Sequence, residues 1–198
     1  MAIVVPVTVA WWFSRMISIG NFDYIRHPIM RHLIEYWLQM SDEPGAMPPK
    51  QKLDPLNFPT ALSYVWLVRR ETGEPGDGEG VTKFRYLLAG ESINTVAGFS
   101  YAKKILAELF DAEMAIYMAR RFTRVCDTPA VCHDIGRIYT YTEKSGQGER
   151  LMMPLAGKNG AVEFIFGCTI YDWDQIMRTP EQPSDGHVTT FTDLPNLE

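Results

Sequence analysis

Residues 130–171 read AVCHDIGRIYTYTEKSGQGERLMMPLAGKNGAVEFIFGCTIY. The stretch holds three β-prone runs, Ala130 to Thr142, Glu149 to Leu155 and Ala161 to Tyr171. They are separated by Lys144-Ser145-Gly146-Gln147-Gly148 and by Gly157-Lys158-Asn159-Gly160. Links this short cannot hold a crossover, so consecutive runs must lie antiparallel, and Asn159-Gly160 supplies the positive-φ residues that a tight hairpin demands. An antiparallel meander therefore closes the folded part of the chain.

Upstream of the meander, Ala112 to Val125 sets Met114, Tyr117, Met118, Arg121, Phe122 and Val125 on one helical face, ended by Asp127 and Pro129. Shorter helical pieces precede it: Ser92 as a cap for Ile93 to Val96, then Ala102 to Phe110. Before these stand two more strands, Ala61 to Arg70 and Thr82 to Ala89, around a loop with four glycines and a proline between Glu71 and Gly80. His27 to Met40 reads as a leading amphipathic helix with Pro28 in its first turn. The proline-dense stretch Ser41 to Pro59 excludes regular helix or central strand. Helix, two strands, several helices and three strands in that order specify an α+β domain, with helices on one face of an antiparallel sheet.

A length of 198 residues suits one main domain, and 46% hydrophobic residues provide enough apolar surface for a core. The expected divisions are an apolar arm over 1–27, the domain with its leading helix over 28–173, and a polar tail over 174–198. Pro180, Pro183 and Pro195 make that tail read as extended or partly disordered. The net charge of -5, with scattered Lys and Arg, argues against nucleic acid as a partner. Three cysteines, Cys126, Cys132 and Cys168, are too few and odd in number for a disulfide scaffold, which points to a reducing cytoplasm. The apolar run Ala2 to Phe13, about a dozen residues, is shorter than the roughly 20 a bilayer requires. It reads as an arm packing on the domain or on a partner, in preference to membrane-surface contact.

Several short segments carry a resemblance: Tyr36-Trp37, Leu53-Asp54-Pro55, the run from Phe84 through Arg85-Tyr86-Leu87-Leu88-Ala89 to Gly90, then Gly98, and Arg150-Leu151-Met152-Met153-Pro154-Leu155. With these, the sequence resembles a PAS domain, and more narrowly the small stand-alone PAS-like proteins of alphaproteobacteria, over roughly residues 28 to 173. The resemblance implies a five-stranded antiparallel sheet in the order 2-1-5-4-3, with helices enclosing a small apolar pocket. It also implies a sensory or protein-interaction role, exercised as a homodimer or with a partner signalling protein. On that pattern the pocket candidates are Tyr64, Trp66, Phe84, Tyr86, Tyr117, Arg121, Met152 and Phe164, for a small-molecule ligand or as plain core. Arg121 stands out, because a cation on an apolar stripe needs a counter-charge, either an internal acid such as Glu163 or an anionic ligand.

Other chemistry finds little support in the sequence. Cys132 and His133 are consecutive strand residues and should diverge to opposite faces, which spoils a thiol-imidazole pair completed by Asp134. Gly90-Glu91-Ser92-Ile93-Asn94 lacks the second glycine of a nucleophile elbow. His27, His32, His133 and His187 are dispersed, and the first two miss the spacing that places two metal ligands on one helical face. A haem would have only His133 within the strands as an axial candidate, and the cysteine motif of flavin-adduct sensors is absent. The expectation is a non-catalytic regulatory domain with no specified cofactor or metal, set against a structural adaptor with a fully packed core and a small thiol-dependent enzyme.

Overall fold

A computed structural model describes residues 19–41, 46–72, 82–139, 145–172 and 187–194. The apolar arm up to residue 18, most of the glycine-rich hairpin loop and the proline-bearing part of the tail lie outside the described residues. The elements are α1 (Pro28–Gln39), β1 (Val65–Thr72), β2 (Thr82–Ala89), α2 (Glu91–Ala97), α3 (Leu106–Leu109), α4 (Ala112–Asp127), β3 (Ala130–Tyr139), β4 (Ser145–Ala156), β5 (Val162–Tyr171) and β6 (Val188–Asp193).

The strands form one antiparallel sheet in the order β2-β1-β5-β4-β3-β6. The five expected strands stand in the expected order, and β6 from the tail adds a sixth beside β3. Its sequence, Val-Thr-Thr-Phe-Thr-Asp, is β-branched and aromatic, so burying one edge against β3 suffices to order it.

Alternation along each strand divides the core in two. Trp66, Val68, Phe84, Tyr86, Cys132, Met152 and Ile165 point to one side, where α2, α3 and α4 cover them with Ile93, Leu106, Leu109, Met118, Phe122 and Val125. These intervening helices lie across a single face, as expected. Val65, Leu67, Val131, Leu151, Met153, Leu155, Phe166 and Cys168 point to the other side, beneath Met30, Leu33, Ile34 and Trp37 of α1. The sheet is thus the middle of three layers: the expectation of helices on one face holds for the intervening helices but not for α1, whose apolar stripe covers the face they leave bare.

Local sequence accounts for the element boundaries. His27 caps α1 by accepting from the Ile29 amide at 3.2 Å, and Asp111 caps α4 by accepting from Met114 at 2.8 Å. The cap of α2 is Gly90, so Ser92 lies inside the helix, and α2 ends at Gly98 with φ +82°. The helix expected over 102–110 contracts to one turn, α3. Lys103 and Lys104 are diverted there to bond the edge of β2 through Lys103 N to Tyr86 O at 2.7 Å and Tyr86 N to Lys104 O at 2.9 Å. The proline-dense connector forms three one-turn 3-10 helices, Lys50–Lys52, Pro55–Asn57 and Pro59–Ala61.

Candidate functional site

The residues expected to enclose a pocket separate into three groups. Trp66, Phe84, Tyr86 and Met152 share the α4 side of the sheet. There they fill space with one another: the Trp66 ring is 5.7 Å from both Tyr86 and Phe122, and Phe84 meets Phe122 edge-on at 5.3 Å. The Trp66 indole lies on Gly167, directly opposite it in the β1–β5 ladder, where any Cβ would collide with the ring. Its Nε1 donates to Thr169 Oγ1 at 2.9 Å.

Tyr64 and Phe164 belong elsewhere, because both pack against the α1 side of the core. β1 begins at Val65, so Tyr64 precedes the strand that was expected to carry it. Leu67 pairs with Phe166, so the even residues of β5 share the face of the odd residues of β1, which turns Phe164 away from α4. Tyr117 is at the surface, with 37% of its area exposed.

Arg121 is the centre of what remains. Its guanidinium is buried and donates to Tyr117 OH at 2.7 Å, Thr189 Oγ1 at 3.0 Å, Cys132 Sγ at 3.2 Å, and, most closely, Asp134 Oδ1. The counter-charge is therefore Asp134 on β3. Glu163, expected as the internal acid, pairs instead with Arg69 at 2.8 Å near the surface. Thr189 also donates to Asp134 Oδ1 at 2.8 Å, so a single cation ties α4 to β3 and to β6. Burial alone would raise the Asp134 carboxyl. The His187 hydrogen bond, the charges of Arg150 and Arg121, and the Thr189 hydroxyl outweigh it and hold that carboxyl well below the usual range. Arg121 Nε and Asp134 Oδ2 make no hydrogen bond among the described residues.

Arg150 completes this polar rung. It pairs across β4 with both Asp134 and Thr169, donates to Thr169 Oγ1 at 3.4 Å, and approaches Met118 Sδ of α4 at 3.7 Å. Asp134, Arg150, Thr169 and Thr189 were not singled out by sequence as one site. The register that aligns them across four strands is set by tertiary pairing, although the β-branched and aromatic composition of β6 suits a strand.

The segments that carried the resemblance also meet in space. Trp37 Nε1 donates to the Pro154 carbonyl at 2.9 Å, and Tyr36 OH donates to Lys52 O at 2.9 Å while accepting from the Asp54 amide at 2.7 Å. The chain matches the family described as PAS domain over residues 25–170. It belongs to the PAS domain family. Searches of curated proteins and of solved structures gave no match.

Within this PAS domain the cysteines are placed for packing. Cys132 faces α4 and His133 faces α1, so the two diverge as expected, and burial, with the nearby Asp134 charge, pushes the Cys132 thiol up to about 12. His133 donates to Glu149 Oε1 at 2.7 Å on the α1 side. Among the described residues no group of His, Cys, Asp and Glu is arranged to hold a metal, and no helix is long and apolar enough to cross a membrane. A shallow surface depression lies at α2, lined by Ala89, Glu91, Asn94, Thr95, Gly98 and Phe99; Ala89 and Gly98 are among the residues that carried the resemblance, and none of the six was a pocket candidate.

Proposed function

We propose that this chain is a non-catalytic PAS-type regulatory module of the cytoplasm that signals through protein–protein contacts, as a homodimer or with a partner signalling protein. One observation carries the reading. The side of the sheet that a ligand would occupy is filled by the domain's own Trp66, Phe84, Tyr86 and Phe122, and Arg121 is neutralised from within by Asp134. A packed interior transmits displacement instead of absorbing it. A partner that shifts α4 moves Arg121, and with it the Asp134–Thr189 contact that seats β6. A change at one surface then becomes a change at another.

A second reading, small-molecule binding, draws support from Arg150. Its half-buried guanidinium has a hydroxyl and a thioether as hydrogen-bond partners, and its charge reaches Tyr86 and Tyr171. An anionic ligand entering beside Met118 would find a cation there. Native mass spectrometry of protein purified without denaturation separates the two. Bare chain masses, singly or in complexes, support the first reading. A stoichiometric small molecule, lost in Arg150→Met, would replace it with the second.

A further inference from the structure

The two edges of the sheet are finished differently. At β2 the outer edge is occupied: Lys103 and Lys104 bond Tyr86, Ile105 bridges to Arg85, and Lys83 and Arg85 supply the charges that discourage further pairing. At β6 the ladder to β3 runs from Val188 to Asp193, and no described residue pairs with the opposite edge. That edge carries no lysine or proline, and Val188 and Phe191 are 53% and 36% exposed. A β-branched, nearly uncharged edge strand is a template for another strand.

We propose that the outer edge of β6, unpaired among the described residues, is an interaction surface whose occupant is β6 of a second copy of this chain, joining two six-stranded sheets into one. The inference goes beyond the regulatory reading and does not depend on what the interior binds. A two-fold axis normal to the sheet keeps the α4 sides of both copies together, so odd residues must oppose odd ones and the axis must pass through a residue. Centred on Thr190, the pairing sets Thr189 against Phe191 of the partner copy, Val188 against Thr192, and His187 against Asp193. No like charges face each other, and at both ends the His187 imidazole of one copy comes opposite the Asp193 carboxylate of the other. Centred on Phe191, the same strand leaves His187 beyond the ladder and sets Asp193 against Thr189, which is why the first register is favoured. Thr189 and Asp193 are already held on the α4 side, by Arg121 and Arg124, so the strand is presented in a fixed orientation.

The test uses the full chain. Sedimentation velocity should show a concentration-dependent dimer, and Thr190→Lys, which brings two ammonium groups together on the axis, should weaken it by roughly tenfold or more with circular dichroism unchanged. Under mild oxidation Thr190→Cys should form a disulfide-linked dimer, since opposed residues lie at a Cα separation that a disulfide accepts. Val188→Cys, about 13 Å from its counterpart in this register, should not. The native cysteines are buried and do not interfere. A chain that stays monomeric, a dimer indifferent to Thr190→Lys, or cross-linking through Val188→Cys in place of Thr190→Cys overturns the proposal. The cross-linking arm stands even where the lysine variant fails to fold.

Discussion

Asp134 on β3 and Glu149 on β4 are both buried carboxylates, yet they face opposite sides of the sheet and are compensated by different chemistry. Asp134, beneath α4, meets the permanent charge of Arg121 and the hydroxyl of Thr189. Glu149, beneath α1, accepts from the backbone amides of Arg26 and His27, each at 2.9 Å, and from His133, whose ring packs on Tyr24 at 5.1 Å. The first carboxylate joins a helix side chain to two strands. The second holds the main chain at the start of α1, so it fixes where the leading helix enters. One face is tied by an ion pair that reaches a distant strand, the other by a local cap on the backbone.

Removing one partner from each face should expose that difference. Asp134→Ala strands the Arg121 guanidinium in the core, and breaking a buried pair in this way costs about 3 to 5 kcal/mol, measured as the shift in equilibrium urea unfolding. The damage should spread to β6, with amide exchange at Thr189 and Thr190 accelerating. Asp134→Leu combined with Arg121→Met should recover much of the loss, because matched apolar groups need no counter-charge. A single-mutant loss below about 1 kcal/mol would mean that solvent already reaches the pair.

Glu149→Gln is the corresponding change on the α1 face. The amide keeps an acceptor for one backbone N–H but gives up the charge, so a loss of about 1.5 to 3 kcal/mol is expected, the range for hydrogen bonds to charged groups. Amide exchange should rise at Arg26 and His27 and leave β6 protected. Equal exchange at β6 in both variants would erase the distinction between the faces.

How much of this comparison the sequence reveals depends on which kind of contact is asked about. Arg121 could be singled out because a cation on an apolar helical stripe violates the pattern around it. Its partner could not, since Asp134 reaches it only through the placement of α4 over β3, and Glu163 was an equal candidate on chemistry alone. The antiparallel sense of neighbouring strands was legible from short glycine-bearing links, whereas the strand order, with β1 beside β5, came from the resemblance alone. The face of each β5 residue was not, because a one-residue change in pairing register inverts every side chain, which is how Phe164 came to be assigned to the wrong side. β6 was concealed by the prolines around it and by the lack of a two-residue period in its own six residues, whose β-branched and aromatic composition was the one signal of a strand.

The pH dependence sharpens the comparison with a smaller effect. Burial would raise the Glu149 carboxyl, but the His133 hydrogen bond, the Arg26 amide, the His133 charge and the His27 amide together hold it below its ordinary value, and Asp134 is depressed as well. A depressed folded-state value adds stability that is complete above the ordinary carboxylate range and is lost as pH falls through the folded-state value. Unfolding free energy should therefore be flat above about pH 5 and decline below about pH 4, each group adding at most about 1.4 kcal/mol per pH unit. Glu149→Gln should flatten only the part of that decline nearest the ordinary carboxylate range, whereas Asp134→Asn should flatten it from that range down to lower pH, since Asp134 is held the further down. Acid limbs in both variants unchanged from that of the unmodified chain would show that neither carboxylate governs acid unfolding.

The smallest effect belongs to the same chemistry placed in water. Arg69 Nε lies 2.8 Å from Glu163 Oε1, within hydrogen-bond distance like the buried pair, but the Arg69 side chain is 50% exposed. Solvent already stabilises both charges there, and ordering two long side chains offsets most of what remains. Arg69→Ala should therefore change stability by about 0 to 1 kcal/mol, with added salt reducing even that. Set beside Asp134→Ala, the measurement asks mainly about burial, because each change breaks one guanidinium–carboxylate pair. A loss at Arg69 as large as that at Asp134 would show that carboxylate–guanidinium geometry, not exclusion of water, decides what these pairs contribute, and the contrast between interior and surface would fail with it.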